Sequence, residues 1–178
     1  MPAYVGSQLG FNDPGKFYLD NFFYPRLREI GVLPLCPFQA CGEYLGPRPS
    51  PEESFQKHHE YWKGFNMLIG PINYETLMPH SLFMIAVLDG SHSVDDGVAA
   101  EISHFATRYG TERIVVGIRS DFRLAENMAA HINPAVSYFL DDGPYNGHFF
   151  FGPGAYERSF DHTKGLADKI RETPTILT

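Results

Sequence analysis

The chain has 178 residues, a length that suits one substantial core and is too short for two ordinary domains, so a single domain over residues 1–178 is predicted. Hydrophobic residues make up 43% and charged residues 20%, which is typical of a folded globular protein rather than a disordered one. The formal net charge of −7 argues against a broad basic face, so a nucleic-acid polymer is not an expected partner.

Signals for export or membrane insertion are missing from the sequence. Residues 1–8 hold neither a basic segment nor a long apolar one, and no apolar run approaches the roughly 20 residues that span a bilayer. We therefore expect a cytoplasmic protein with no membrane partner. Cys36 and Cys41 have no companion Cys or His at a zinc spacing, and we predict that both are free thiols.

The first part of the chain predicts a strand, a helix and a second strand. Residues 3–7 are predicted to form a short strand, and Asn12-Asp13-Pro14 is typical of a helix start, with a capping side chain and an early proline. Apolar residues recur at helical spacing over residues 17–30, and Gly31 ends that pattern. Residues 32–35 are predicted to form the second strand.

The middle of the chain predicts a loop, a helix and a buried strand. Residues 37–51 are rich in Gly and Pro and are interpreted as a loop. Residues 52–68 are interpreted as a helix. The unbroken apolar run over residues 82–88 is typical of a strand buried on both faces of a parallel sheet, and it ends at Asp89-Gly90.

The remaining elements continue the alternation. A helix is predicted over residues 98–109 and is closed by Gly110, a strand over residues 113–118, and a short helix over residues 134–140. The tail that follows is rich in Gly and Phe, and its pattern predicts no particular element. The alternation of strands and helices predicts an α/β fold, with a parallel sheet that carries helices on both faces and binds ligands beyond its carboxyl edge.

Four acidic residues lie between the end of a predicted strand and the first turns of the next helix: Asp89, Asp95, Asp96 and Glu101. Acidic side chains at a helix start cap free amides and interact favourably with the helix dipole, which explains one or two of them without catalysis. Glu101 lies beyond the cap. The pattern therefore leaves two interpretations open, a well-capped helix and a site at the edge of the sheet.

Three runs of sequence carry a resemblance to a known family: residues 85–90 (IAVLDG), 95–102 (DDGVAAEI) and 116–123 (VGIRSDFR). In this order and at this spacing they resemble the motifs of the nucleoside 2-deoxyribosyltransferases, and the good match covers roughly residues 82–140. The resemblance implies a flavodoxin-like, doubly wound fold. It also implies that deoxyribonucleosides and free bases are the small-molecule partners, with no cofactor.

The resemblance assigns the two central carboxylates different roles. Glu101 matches the nucleophilic glutamate of the family, and Asp95 matches an aspartate that contacts the substrate and helps to handle the proton on the base. A nucleobase leaves C1′ poorly as an anion, so it must be protonated while an ionised carboxylate meets the developing oxocarbenium ion. The resulting glycosyl ester is then attacked by a second base, with overall retention.

The resemblance implies further contacts, and each has a simpler structural alternative. Glu75 falls where the family has an aspartate that contacts the base, but an exposed helix acid is an equally good interpretation. Tyr4 matches a tyrosine that orients the nucleophile, although a half-buried strand tyrosine explains it nearly as well. Gly6, in the matching first strand, and Asp89, in the Asp-Gly motif, complete the expected substrate-binding set.

Asn133 resembles an asparagine with which the family reaches into the site of a neighbouring subunit to hold the sugar 5′-hydroxyl. A helix cap ahead of Pro134 is the competing explanation, and Asn127 is a rival for the role. Together with an aromatic content of 15%, Asn133 indicates a homo-oligomer with shared sites. The sequence departs from the family at Ser103, usually Gly, and at Pro134-Ala135, usually Leu-Met.

The sequence also bears on metal binding, dinucleotide binding and two alternative functions. The eight His residues, among them His58, His59 and His92, show no recognised ligand spacing, so no metal site is predicted, and the Gly-rich segments lack a dinucleotide-binding fingerprint. An N-glycoside hydrolase of nucleosides or nucleotides is the first alternative. Four residues leave phosphate recognition open: Ser7, Arg119, Ser120 and Arg123. A non-catalytic nucleotide-binding or scaffold module is the second.

Overall fold

A computed structural model of the chain contains one parallel sheet of five strands, in the order β2-β1-β3-β4-β5. The structure describes residues 1–90, 93–121 and 130–172. The strands are β1 (Pro2–Ser7), β2 (Leu33–Leu35), β3 (Phe83–Val87), β4 (Ile114–Arg119) and β5 (Gly147–Phe151). The helices are α1 (Asp13–Tyr18), α2 (Tyr24–Glu29), α3 (Pro37–Leu45), α4 (Phe55–Pro71), α5 (Asp96–Tyr109), α6 (Pro134–Ser137) and α7 (Ala155–Glu172).

This strand order is the flavodoxin-like one, in which the chain reverses its winding direction between β1 and β3. Helices cover both faces of the sheet. Leu19, Phe23 and Ala155 pack on one face, which places the α1–α2 segment and α7 there. Ile102 and Phe105 of α5 pack on the other face. The predicted doubly wound α/β fold is confirmed, and its reversal point opens between the carboxyl ends of β1 and β3.

Short turns of π-helix interrupt the helical segments. They cover Leu19–Phe23, Ile72–Leu77 and Tyr138–Asp142. Each joins an α-helix that precedes it, and the first also continues into α2. Because a π turn holds one extra residue, it rotates the side chains that follow it relative to a regular helix, and such turns often occur at functional sites.

The prediction of a loop over residues 37–51 is wrong in its first half, because Pro37–Leu45 is the helix α3. Pro37 occupies the first helical turn, where its missing N–H costs nothing, and Gly46 ends the helix with a positive φ of 77°. The Pro and Gly that indicated a loop are therefore start and stop signals. Cys41 of α3 packs with Phe65 of α4, and this contact stabilises a helix of modest intrinsic propensity.

The Gly/Phe-rich tail contains the edge strand β5 and the long helix α7. Gly147 begins β5 beside Leu140, whose backbone lies so close that a Cβ at position 147 would clash. No helix among residues 1–90, 93–121 and 130–172 is long and apolar enough to cross a membrane. Cys36 and Cys41 are buried free thiols, as predicted.

Candidate active site

A cavity of about 360 Å³ lies beyond the carboxyl end of β1, the strand at which the sheet reverses its winding direction. It is the position at which doubly wound sheets bind their ligands. The polar residues that line it include Ser7, Asn73, Asp95 and Glu101. Asp95 and Glu101, the two carboxylates to which the family resemblance assigns catalytic roles, thus lie in one cavity.

Glu101 is held at the wall of this cavity by the packing of α5. The neighbouring Ile102 and Phe105 are fully buried against the sheet, so they fix the rotation of the helix and carry Glu101 with them. Glu101 itself is only 9% exposed. Its Oε1 accepts a hydrogen bond of 2.8 Å from Nδ2 of Asn73.

Gly6 leaves the space that the second oxygen of Glu101 occupies. A Cβ built on Gly6 would lie 2.6 Å from Oε2 of Glu101, closer than any real contact allows. Gly6 is in β1 and has no positive φ, so its role is close approach rather than backbone freedom. Only glycine at this position lets the carboxylate of Glu101 rest against the end of β1.

Burial raises the pKa of Glu101 to about 7. Withdrawal from water is the main cause, the Tyr4 hydroxyl acts in the opposite direction, and the charge of Asp95 adds a smaller increase. A carboxyl group with a pKa in this range changes its charge near neutral pH, a property found often at catalytic sites. At neutral pH, both the protonated and the ionised form of Glu101 are therefore populated.

Tyr4 is completely buried beside Glu101, on the same strand as Gly6. Burial and the neighbouring carboxylate together hold the pKa of Tyr4 well above 10, so its hydroxyl keeps its proton. Although it lies close enough to lower the pKa of Glu101, the hydroxyl has no partner with full hydrogen-bond geometry among the described residues. Tyr4 is thus a buried donor adjacent to the carboxylate.

Asp95 is the N-cap of α5, and its Oδ1 accepts a hydrogen bond of 3.1 Å from the backbone N–H of Val98. Capping of α5 is therefore one of the roles of Asp95. The same carboxylate also lines the cavity and acts on the pKa of Glu101. Asp95 combines a structural contact with a position in the site.

Asp89 and Glu75 lie outside the Glu101 cavity. The Asp89 carboxylate accepts hydrogen bonds from the backbone N–H of Ser120 at 2.9 Å and from the hydroxyl of Tyr156 at 2.8 Å, so it ties β3 to the end of β4 and to α7. Glu75 is exposed on the π turn Ile72–Leu77 and does not line the cavity. In the single chain, neither residue is brought to Glu101.

Asn133 is the N-cap of α6, with Oδ1 accepting a hydrogen bond of 2.8 Å from the N–H of Ala135. It lines a separate cavity of about 350 Å³ together with Ser103. Its predicted reach into a neighbouring subunit stays a prediction. Its rival Asn127 lies outside the described residues.

The described residues considered for phosphate binding lie at the carboxyl ends of two different strands, β1 and β4. Ser7 lines the Glu101 cavity, but its Oγ already accepts a hydrogen bond from the N–H of Leu9. Arg119 is fully buried and engages Asp121 and the carbonyl oxygen of His131. Arg123 lies outside the described residues, as does His92.

The sequence reasoning missed Asn73, which contacts Glu101 directly. Pro71 in the last turn of α4 signals an irregular helix end, because a proline there removes a backbone donor and clashes with the preceding turn. The π turn Ile72–Leu77 follows Pro71 directly, and only 4% of Asn73 within it is exposed.

Aromatic rings form another part of the cavity wall. Phe38 of α3 stacks on Phe65 of α4 with ring centroids 5.4 Å apart, and Phe11 meets Phe38 edge-on at 4.8 Å. Flat rings at a cavity wall suit the stacking of a flat ligand such as a nucleobase. This wall exists only because residues 37–45 are helical.

In the described part of the chain, no group of three or more His, Cys, Asp or Glu residues is arranged to hold a metal ion. The polar groups at the cavity include the carboxylates of Asp95 and Glu101 and the Asn73 amide, with the buried Tyr4 hydroxyl beside Glu101. This set can provide a nucleophile, a proton relay and a neutral hydrogen-bond donor.

No protein-family model matches the chain, and no curated protein matches it. Among solved structures, it is similar to a 2-deoxyribosyltransferase from Leishmania mexicana, with 16% identity over 92% of this chain and 97% of that one, and a TM-score of 0.49. It is also similar to a 2-deoxyribosyltransferase from Bacillus psychrosaccharolyticus, with 14% identity over 66% of this chain and 72% of that one, and a TM-score of 0.38.

The chain resembles the 2-deoxyribosyltransferases. The roles of single residues rest on the geometry of this chain. The sequence departs from the 2-deoxyribosyltransferase pattern at Ser103 and Pro134-Ala135. Ser103 and Ala135 line the cavity that Asn133 lines, and none of the three residues lines the Glu101 cavity.

Proposed function

We propose that the protein transfers a 2-deoxyribosyl group between nucleobases through a covalent intermediate on Glu101. The observation that carries the proposal is the Glu101 carboxylate itself. It is nine-tenths buried, lies at the wall of the cavity at the sheet's reversal point, and is held between Gly6 and Asn73.

In the first step, the ionised carboxylate of Glu101 forms a bond to C1′ of a 2′-deoxyribonucleoside. The bond between C1′ and the base nitrogen breaks, and its electron pair leaves with the base, which takes up a proton that Asp95 helps to deliver. The product is a glycosyl ester of Glu101. Tyr4 donates toward the carboxylate and orients it, while the aromatic wall stacks on the base.

In the second step, a nitrogen of another base attacks C1′ from the face that the first base left. The ester bond breaks, Glu101 regains its carboxylate, and the proton of the incoming base passes back to Asp95. Two displacements at one carbon retain its configuration. Charge and protons balance over the cycle, so the reaction consumes no oxidant or reductant.

The first experiment supplies the protein with deoxyinosine and adenine and follows the mixture by chromatography. Base exchange yields deoxyadenosine and hypoxanthine. If water is instead the acceptor, free 2-deoxyribose accumulates without deoxyadenosine, and the N-glycoside hydrolase replaces the transferase. No consumption of deoxyinosine under these conditions would contradict both activities.

The second experiment tests the nucleophile. Glu101→Gln should reduce base exchange by several orders of magnitude, as loss of a covalent nucleophile commonly does. Glu112→Gln, at an exposed glutamate beyond the end of α5, is the matched control and should keep full activity. A slowly released 2-fluoro analogue of the substrate should add the mass of its sugar to the peptide that contains Glu101, and an adduct on Asp95 would refute the assignment.

A further inference from the structure

The contact between Asn73 and Glu101 depends on the π turn that follows α4. The backbone carbonyl of Asn73 accepts a hydrogen bond of 3.0 Å from the N–H of Met78, five residues later, which closes the wider π ring. Met78 is fully buried in the core beneath α5, so the turn is anchored from below. The anchored turn fixes the direction of the Asn73 side chain toward Glu101.

The amide of Asn73 is oriented with its donor toward the carboxylate. Nδ2 donates to Oε1 of Glu101 at 2.8 Å, while Oδ1 is buried and has no hydrogen-bond partner among the described residues. The reverse orientation would place the amide oxygen against a carboxylate oxygen, and two acceptors repel when Glu101 is charged. The observed orientation therefore fits an ionised Glu101, and leaving Oδ1 unpaired is the cost of maintaining it.

We propose that Asn73 is a positioning residue that holds Glu101 in its ionised, correctly oriented form. It contributes a neutral donor where another carboxylate would repel Glu101. Together with Gly6, which leaves room for Oε2, it fixes both oxygens of the nucleophile. The consequence for catalysis rests on the proposed function. The effect of Asn73 on the ionisation of Glu101 does not depend on that function.

The ionisable groups around Glu101 come from β1, from the π turn and from the start of its own helix, α5. Tyr4 reaches it from β1, Tyr74 from the same π turn as Asn73, and Asp95 from the start of α5. Burial keeps the pKa of both tyrosines raised, so they stay neutral. Asp95 opposes the charge of Glu101, and burial opposes it more strongly. The Tyr4 hydroxyl acts against both effects, and the amide of Asn73 donates to the same carboxylate.

The test uses two variants of the full-length protein and one control. Asn73→Leu keeps approximately the shape of the side chain and removes the donor. Asn73→Asp keeps the shape more closely and replaces the donor with a like charge. Thr76→Ala changes an exposed residue on the same π turn and is the control. Circular dichroism confirms that each variant folds before it is compared.

The first readout is the titration of Glu101, followed by NMR of ¹³C-labelled glutamate carboxyls and assigned with Glu101→Gln. No substrate is present. The midpoint near pH 7 should rise by about one pH unit in Asn73→Leu, and by more in Asn73→Asp, while Thr76→Ala leaves it in place. An unchanged midpoint in both folded Asn73 variants would overturn the proposal, whether or not the protein is a transferase.

The second readout is the pH profile of base exchange. In the Asn73 variants, the acidic limb of kcat should move upward with the titration midpoint, so activity at pH 7 falls about tenfold per pH unit and recovers at higher pH. A role limited to folding would lower activity equally at every pH and would contradict the proposal. Absence of base exchange in the wild type would refute the proposed function, and the NMR titration would then still decide the role of Asn73.

Discussion

At the scale of single residues, the site depends on how closely Glu101 approaches Gly6. The carboxylate Oε2 occupies the space of a missing Cβ, and Asn73 holds the other oxygen. A nucleophile fixed at both oxygens loses little freedom when it reacts, and a displacement of about 1 Å can reduce the rate about a hundredfold. The site should therefore be sensitive to one methyl group.

Gly6→Ala should reduce base exchange by about a hundredfold, because the new Cβ forces the Glu101 carboxylate out of position. Base-exchange rates measured beside thermal melts check this. Gly165→Ala is the control, since a Cβ in that part of α7 meets nothing within 4 Å, and the change should stabilise the helix by up to about 1 kcal/mol. Wild-type rates in a Gly6→Ala protein would contradict the close-approach role.

The raised pKa of Glu101 also predicts how stability varies with pH. Its pKa is about 7 in the folded protein against 4.5 for an ordinary glutamate, so the folded state binds the proton more tightly. This stability is fully present below about pH 4.5 and is lost as pH rises through about 7, a change on the order of 3 kcal/mol. Glu101→Gln removes the titration.

Urea unfolding of both proteins at pH 4.5 and pH 8 measures the effect. The free energy of unfolding of Glu101→Gln, relative to that of the wild type, should be higher at pH 8 than at pH 4.5. Glu112→Gln should show no such change, because that residue is exposed. Parallel pH dependences for Glu101→Gln and the wild type would contradict a raised pKa at position 101.

The preference for one nucleoside over another as glycosyl donor also depends on the space beside the nucleophile. A ribonucleoside carries a 2′-hydroxyl that would crowd Glu101 and, being electron-withdrawing, would disfavour the oxocarbenium-like transition state. We expect deoxyinosine to be a better donor than inosine. Comparing kcat/KM for the two nucleosides with adenine as acceptor measures the difference, and equal values would count against the proposed function.

Among the secondary-structure elements, α5 begins at a residue with two roles. Asp95 caps the helix and also lines the cavity, where we propose that it handles the proton on the base. Asp95→Asn should leave stability within a few tenths of a kcal/mol, because Asn caps as well as Asp, whereas Asp95→Ala should cost about 1 kcal/mol. Both should lose base exchange if the carboxylate handles the proton. Thermal melts measure the effect on stability, and exchange rates measure the effect on proton transfer. Full activity in Asp95→Asn would show that Asp95 only caps the helix.

At the scale of the whole molecule, we expect a homo-oligomer whose sites are completed by Asn133 of a neighbouring subunit. Light scattering should then give a mass above the 20.1 kDa of one chain. Asn133→Ser keeps a capping side chain on α6 but shortens its reach. Co-expressing Asn133→Ser with Glu101→Gln should restore activity that neither has alone, and a fully active monomer would dismiss the shared site.

Elements with strong local signals could be predicted from the sequence. The apolar run of β3 and the C-terminal glycine of α5 were predicted correctly, because burial on both faces and helix ends each leave a short pattern in the chain. The acidic motif that follows β3 also led to Glu101 and Asp95. The alternation of strands and helices was enough to predict a parallel sheet with helices on both faces, and the family resemblance added the doubly wound order.

Contacts between distant side chains could be seen only in the tertiary structure. Asn73 and Glu101 are 28 residues apart in sequence, and no pattern in either segment predicts that the two are in contact. The helical state of α3 depends on packing against α4, and that packing overrides a composition typical of loops. The close fit of Gly6 under Glu101 depends likewise on β1 lying beside β3 and beneath α5, an arrangement produced by long-range contacts that no local pattern encodes.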